Sequence, residues 1–73
     1  VIGTHPVLRL RKGKVHFEIT SKPSGEQGFD LFIEKDGSSI LVGQPKDFES
    51  MMQDMDALAV VFGVLGYKIK HTL

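Results

Sequence analysis

Asp36-Gly37 separates two runs of residues that favour extended chain, Phe29-Asp30-Leu31-Phe32-Ile33-Glu34-Lys35 and Ser38-Ser39-Ile40-Leu41-Val42-Gly43. An Asp-Gly pair tolerates positive φ at both central positions of a type I′ turn, whose twist matches that of paired strands. Few dipeptides commit a chain so firmly to a hairpin. The turn pairs Ile33 with Ile40 and Leu31 with Val42, and on the opposite face Phe32 with Leu41. A slip of one residue would turn every side chain over, so the turn also decides which residues face a core.

A second hairpin precedes it. Val7-Leu8-Arg9-Leu10-Arg11 and Lys14-Val15-His16-Phe17-Glu18-Ile19-Thr20 both alternate apolar and polar residues, the period of a half-buried strand. With Lys12-Gly13 as the two-residue turn, Leu10 pairs with Val15, Arg9 with His16 and Leu8 with Phe17. Leu8, Leu10, Val15, Phe17 and Ile19 then point one way, and Arg9, Arg11, Lys14, His16 and Glu18 the other. Residues 1–6 read as a short irregular lead ending at Pro6. Ser21 to Gly28 reads as a loop, rich in Ser, Pro and Gly.

After Pro45 the period changes. Asp47 is a good N-cap. Met51, Met55, Leu58, Phe62 and Leu65 recur at spacings of four and three, an apolar helical stripe centred on Phe62. Phe48, Met52 and Ala59 widen it, and Gly66 stands where a glycine would end the helix. Ala59 to Val64 is rich in β-branched residues and contains Gly63, so there a strand competes with the helix. Tyr67-Lys68-Ile69-Lys70-His71 alternates again, as a short last strand.

These elements imply an α+β fold: a two-layer domain in which an antiparallel sheet of 4–5 strands, two hairpins plus the C-terminal strand, packs against one long helix. From Phe29 to Lys70, strand, tight turn, strand, Gly43, helix, Gly66 and strand follow in order. This order resembles one half of the saddle in the TATA-binding-protein-like fold. The resemblance covers just over half the chain. It implies a fold and transfers no functional residue.

A chain of 73 residues makes one domain, here residues 1–73, and buries only about 60% of its unfolded surface. Without cysteine, neither a disulfide nor a thiolate metal site reinforces it. Core packing or a partner must supply the remainder. The start at Val1 suggests a piece trimmed from something longer. No apolar leader is evident, and the longest charge-free apolar stretch, Ala57 to Tyr67, is too short to span a bilayer. The expectation is a soluble, non-membrane protein of the cytoplasm, or of the nucleus in a eukaryote.

Catalytic patterns are missing. Ser21, Ser24, Ser38 and Ser39 lie in loops or turns, and Ser50 in the first turn of the helix; none has a G-x-S-x-G context. His5, His16 and His71 lack metal-ligand spacing. Asp47 and Glu49 suit a helix N-terminus, while Asp54 and Asp56, two apart, do not face each other. Neither a calcium loop nor a phosphate-binding glycine loop occurs. No enzyme activity and no cofactor are expected; the chain reads as a binding or regulatory module.

Two surfaces could bind. Formal net charge is zero, yet residues 1–22 hold five cations against Glu18, a net of +4, and the rest holds four lysines against eight acids, a net of −4. Arg9, Arg11, Lys14 and His16 on the first hairpin, Lys12 at its tip and Phe32 on the same side would suit nucleic acid, phosphates pairing and bases stacking. The other surface is the far side of the helix. At 100° per residue Ala57, Val60 and Val64 fall opposite Phe62, with Val61 to one side, where a surface helix should be polar. Either the last strand or the N-terminal segment covers this strip, or a partner does. Docking of a protein partner or a second copy through Ala57, Val60, Val61 and Val64 is the leading expectation, and nucleic-acid binding the alternative.

Overall fold

The computed structural model describes residues 7–72; the irregular lead, His5 included, and Leu73 lie outside them. Five strands and one helix follow in the order β1 (Val7–Lys12), β2 (Val15–Ser24), β3 (Gly28–Lys35), β4 (Ser38–Gly43), α1 (Phe48–Val64) and β5 (Lys68–Thr72). They form one sheet of order β4-β3-β2-β1-β5, every neighbouring pair antiparallel. The helix lies across one face. This is the two-layer α+β architecture expected from the alternation of strands and the helical stripe.

The second hairpin turns at Asp36-Gly37 with φ of 52° and 82°, positive at both positions as a type I′ turn requires. Ile33 pairs with Ile40 and Phe32 with Leu41. Leu31, however, pairs with Gly43 rather than Val42, because a β-bulge inserts one residue into β4. The first hairpin differs more. Lys12 pairs with Val15, Leu10 with Phe17 and Leu8 with Ile19, so the turn is Gly13-Lys14, not Lys12-Gly13. Gly13, at φ 60°, takes the first central position, where a type II′ turn wants glycine. The shift changes every partner but moves the register by two, so the two faces keep their residues.

The expected loop from Ser21 to Gly28 is mostly strand. β2 runs on to Ser24 and pairs with β3 down to Gly28, leaving a short turn in which Gly25 has φ 70°. Pro23 pairs with Phe29 of β3, and among the described residues no strand lies on the other side of β2 beyond Thr20, so its missing amide breaks no described ladder there.

Leu8, Leu10, Ile19 and Leu31 from the sheet and Met51 and Met55 from the helix are fully buried together. The centre of the helical stripe is therefore Met51 and Met55, not Phe62, which is half-buried; Phe48 and Leu65 at the two ends are exposed. The topology explains this. The chain leaves the sheet at the β4 edge and re-enters beside β1 at the other. A helix of 17 residues is about 26 Å long, enough to cross the roughly 14 Å from β3 to β5. Its middle lies over the core, its first end over β3 and its last over β5, and β4 stays beyond it. At the first end the Phe48 and Phe29 rings meet edge-on at 6.1 Å. At the other, Phe62, Phe17 and Tyr67 pack edge-to-face, with centroids 5.2–5.5 Å apart.

Both helix ends follow the sequence. Asp47 caps the first turn, its carboxylate accepting from the Ser50 amide at 2.8 Å. The last turn closes in a Schellman motif: the Gly66 amide donates to Gly63 and the Tyr67 amide to Phe62, with Gly66 at φ 96°. Ala59 to Val64 is helical. Its β-branched residues are held there by the turns on either side and by Phe62, which packs on the sheet.

Candidate functional site

The helix covers one face of the sheet and leaves the other open. On the open face the register sets side chains in rows across the strands. Lys68, Arg11 and His16 form one row; Lys70, Arg9, Glu18 and Glu34 the next; Thr72, Val7, Thr20, Phe32 and Leu41 a third. The first two rows surround an open concavity of about 780 Å³, to whose walls Arg9, Arg11, Lys14, His16, Lys68 and Lys70 contribute. Glu18 is the one carboxylate among its lining residues, and Arg9 holds it at 2.9 Å. Five formal cations thus stand against one acid. The positive region ends along β2, where a smaller depression of about 390 Å³ is lined by Glu18, Glu34, Lys35 and Asp36.

The structure brings together Arg9, Arg11, Lys14 and His16 as the alternation foretold, but His16 stands opposite Arg11 instead of Arg9. It does not bring in Lys12. With the turn moved to Gly13-Lys14, Lys12 becomes a strand residue on the helix side. Its ammonium donates to the Leu65 carbonyl at 2.8 Å and lies 5.8 Å from the Tyr67 ring centroid. A cation at a helix C-terminus satisfies an orphan carbonyl and offsets the helix dipole. Lys12 is a clamp on the helix end.

Phe32 shares the open face but lies in the third row, two strands from β1. Lys22 stands 5.2 Å from its ring centroid and 3.6 Å from Glu34. Lys68 and Lys70 escaped sequence reasoning as members of the basic face. Their alternation around Ile69 marked a strand, but nothing local says that β5 docks beside β1.

The second surface is the outer face of α1. Ala57 is exposed, and Val60, Val61 and Val64 are 67%, 53% and 83% exposed. Leu65, expected in the core stripe, is 53% exposed and extends the strip. β5 does not cover these residues: it pairs with β1, with Ile69 packed against the core. Among the described residues the strip stays open. The acids of the helix, Glu49, Asp54 and Asp56, all precede it, and α1 contains no basic residue.

A third apolar surface runs along β4. β4 is an edge strand without a charged residue, and Ile40, Leu41 and Val42 are all exposed, Ile40 by 63% although it lies on the helix side. The helix does not reach over this edge. The opposite edge, β5, carries Lys68, Lys70 and His71, which discourage edge-to-edge pairing.

Among the described residues no group of three metal-ligating side chains occurs. His16 lies on the open face, while His71, opposite Leu8, lies on the helix side, so the two do not converge. The Asp47 carboxyl is held below its ordinary value by the hydrogen bond from the Ser50 amide. No described helix is long and apolar enough to cross a membrane. The half-saddle resemblance extends to the order of elements alone, because β5 joins the sheet two strands away from the β3–β4 hairpin. No protein-family model, curated relative or solved structure matches the chain.

Proposed function

We propose that this chain is a non-catalytic binding module that self-associates through the outer face of α1. The observation that carries the reading is the open strip Ala57, Val60, Val61, Val64 and Leu65, with Val64 83% exposed. β-branched residues are poorer helix formers than Lys or Glu, so local propensity gives no reason for them there. Burying a Val fully gains about 1.5–3 kcal/mol, which an exposed Val forgoes.

A second copy suits the strip better than an unrelated partner, because the strip complements itself when two helices run antiparallel. With the two-fold axis between Val60 and Val61, Ala57 of one copy comes level with Val64 of the other. Asp56 comes level with Leu65, whose carbonyl holds the Lys12 ammonium. Acids of each helix then approach the basic end of its mate, whereas a parallel pair would set Asp56 beside Asp56. Such an isologous contact closes as a dimer. Five small side chains cover less than a standard interface, which argues for a weak, concentration-dependent dimer.

Sedimentation equilibrium across a wide concentration range tests this. The double variant Val60→Lys/Val64→Glu is expected to stay monomeric at every concentration, with an unchanged melting midpoint. A parent chain that is monomeric throughout would end the reading. Association that survives the double variant but is lost in Leu41→Lys would assign it to the β4 edge. A double variant that no longer folds would show that the strip is covered by its own chain.

A further inference from the structure

The open face of the sheet is a second surface, on the layer opposite α1, and its chemistry is of another kind. We propose that it binds single-stranded nucleic acid, with Arg9, Arg11, Lys14, Lys68 and Lys70 holding phosphates and Phe32 offering a ring to a base.

Charge is the first argument. The chain has no net charge, yet the cations of β1, β5 and the Gly13-Lys14 turn gather at one end of the open face, while Glu34 and Asp36 belong to the depression beyond β2. The concavity of about 780 Å³ is lined by five formal cations and one acid, while Glu49, Asp54 and Asp56 lie on the helix. A ligand approaching the sheet meets a positive field that the net charge conceals.

Geometry is the second. Lys68 and Arg11 are neighbours across one row, and Lys70 and Arg9 across the next. Neighbouring strands are about 4.8 Å apart, and rows two residues apart are separated by roughly 6.6–6.8 Å. The four cations thus make a two-by-two array, with Lys14 beyond it at the turn. A flexible phosphate chain can follow such an array. The major groove of a duplex, about 12 Å wide, admits a helix or a two-stranded ribbon, but not a sheet face three strands broad.

The third argument is the row that follows. Thr72, Val7, Thr20, Phe32 and Leu41 are uncharged, Phe32 is half-buried and Leu41 is exposed. Lys22, its side chain 60% exposed, stands over the Phe32 ring at 5.2 Å and would have to swing aside or stack with the base. A cationic track beside a ring is the arrangement that holds single strands with little regard to sequence. An acidic peptide would need the cations and make no use of the ring.

The test is fluorescence anisotropy with a labelled oligothymidylate of roughly 12 nucleotides and its RNA counterpart, titrated at several salt concentrations. Duplex DNA, polyglutamate and anionic vesicles serve as competitors. Arg11→Ala and Lys68→Ala should each weaken binding and flatten the salt dependence by about 0.7 in log–log slope. Lys12→Ala should leave that slope unchanged, because its ammonium is engaged at the helix end. Phe32→Ala should weaken binding roughly 5- to 150-fold at constant slope, as the loss of one stacked base would; Phe32→Leu, which keeps the packing, should do the same. No salt-dependent binding at low ionic strength would overturn the proposal. So would equal competition by duplex, polyglutamate or vesicles, or a Lys12→Ala effect as large as that of Arg11→Ala. The monomeric Val60→Lys/Val64→Glu variant should retain the binding of each chain, so this proposal and the helix-face dimer can fail separately.

Discussion

Lys12 shows how one residue changes meaning when a turn moves by one position. As a turn residue it would be one more solvated cation at a hairpin tip. As the last residue of β1 it reaches the Leu65 carbonyl at 2.8 Å and ties the first hairpin to the end of α1. Lys12→Ala should cost about 0.3–1 kcal/mol, the usual worth of a cation at an exposed helix C-terminus. Amide exchange in the last helical turn should speed up as well, whereas Lys14→Ala should change neither. Gly66 is the adjoining constraint. Its φ of 96° is poorly tolerated by residues with a Cβ, and an added Cβ would meet Lys12 Cε at 3.4 Å. Gly66→Ala should cost about 1–2 kcal/mol in chemical denaturation. At the other helix end Asp47 makes stability depend on pH. Its folded pKa is depressed by the Ser50 amide, so its contribution is complete above the unfolded value of about 3.9. That contribution is lost as pH falls through the lower folded value. Asp47→Asn, which can still cap but cannot titrate there, should show a shallower loss of stability with acid below about pH 4.

Among the elements, α1 ranks its own residues by where it crosses the sheet. Met51 is fully buried between helix and sheet, Phe62 is half-buried against Phe17 and Tyr67, and Phe48 is exposed beside Phe29. Met51→Ala should therefore be the most damaging of the three truncations, at about 2–5 kcal/mol. Phe62→Ala should follow, and Phe48→Ala should have the smallest effect. Equilibrium urea unfolding gives this order directly, and a larger loss at Phe62 than at Met51 would contradict the packing. The helical stripe was legible because its spacing is local. Its centre was not, because depth depends on the path of the helix over the sheet. Val42 is similar: the Asp36-Gly37 turn set the register as far as Phe32–Leu41, and the bulge beyond it carries no sequence signal in Ile40-Leu41-Val42.

For the whole molecule, the layers separate the two proposed activities. The helix face is apolar beyond its acids and the open sheet face is basic, so a dimer formed through α1 would turn two basic faces outward on opposite sides. Binding of a long single strand should then gain avidity above the dimerisation range, a gain absent in Val60→Lys/Val64→Glu. The sheet has one guarded edge and one unguarded edge. Because β4 carries no charge, slow aggregation at high concentration should proceed through it, and Ile40→Lys should suppress the light scattering without lowering the melting midpoint.

The sequence by itself determined what depends on near neighbours. The Asp36-Gly37 turn, the alternation that sorts Leu8 and Leu10 from Arg9 and Arg11, the Asp47 cap, the Gly66 stop and the apolar outer strip of α1 all follow from backbone preferences and from periods of two and 3.6 residues. Those periods hold whichever way the chain is assembled, which is why both faces of the first hairpin survived the change of turn. The tertiary structure alone decided which strands are edges, how deep each helical residue lies, and that Lys68 and Lys70 join Arg9 and Arg11 while Lys12 departs. The place of Lys68 and Lys70 rests on the pairing of β1 with β5, residues some sixty positions apart, and that of Lys12 on the end of α1 coming to lie beside the first hairpin. Such a pairing is chosen by the burial of Leu8, Leu10 and Ile69 under a helix that must cross the sheet, a collective gain that no short stretch of the chain encodes.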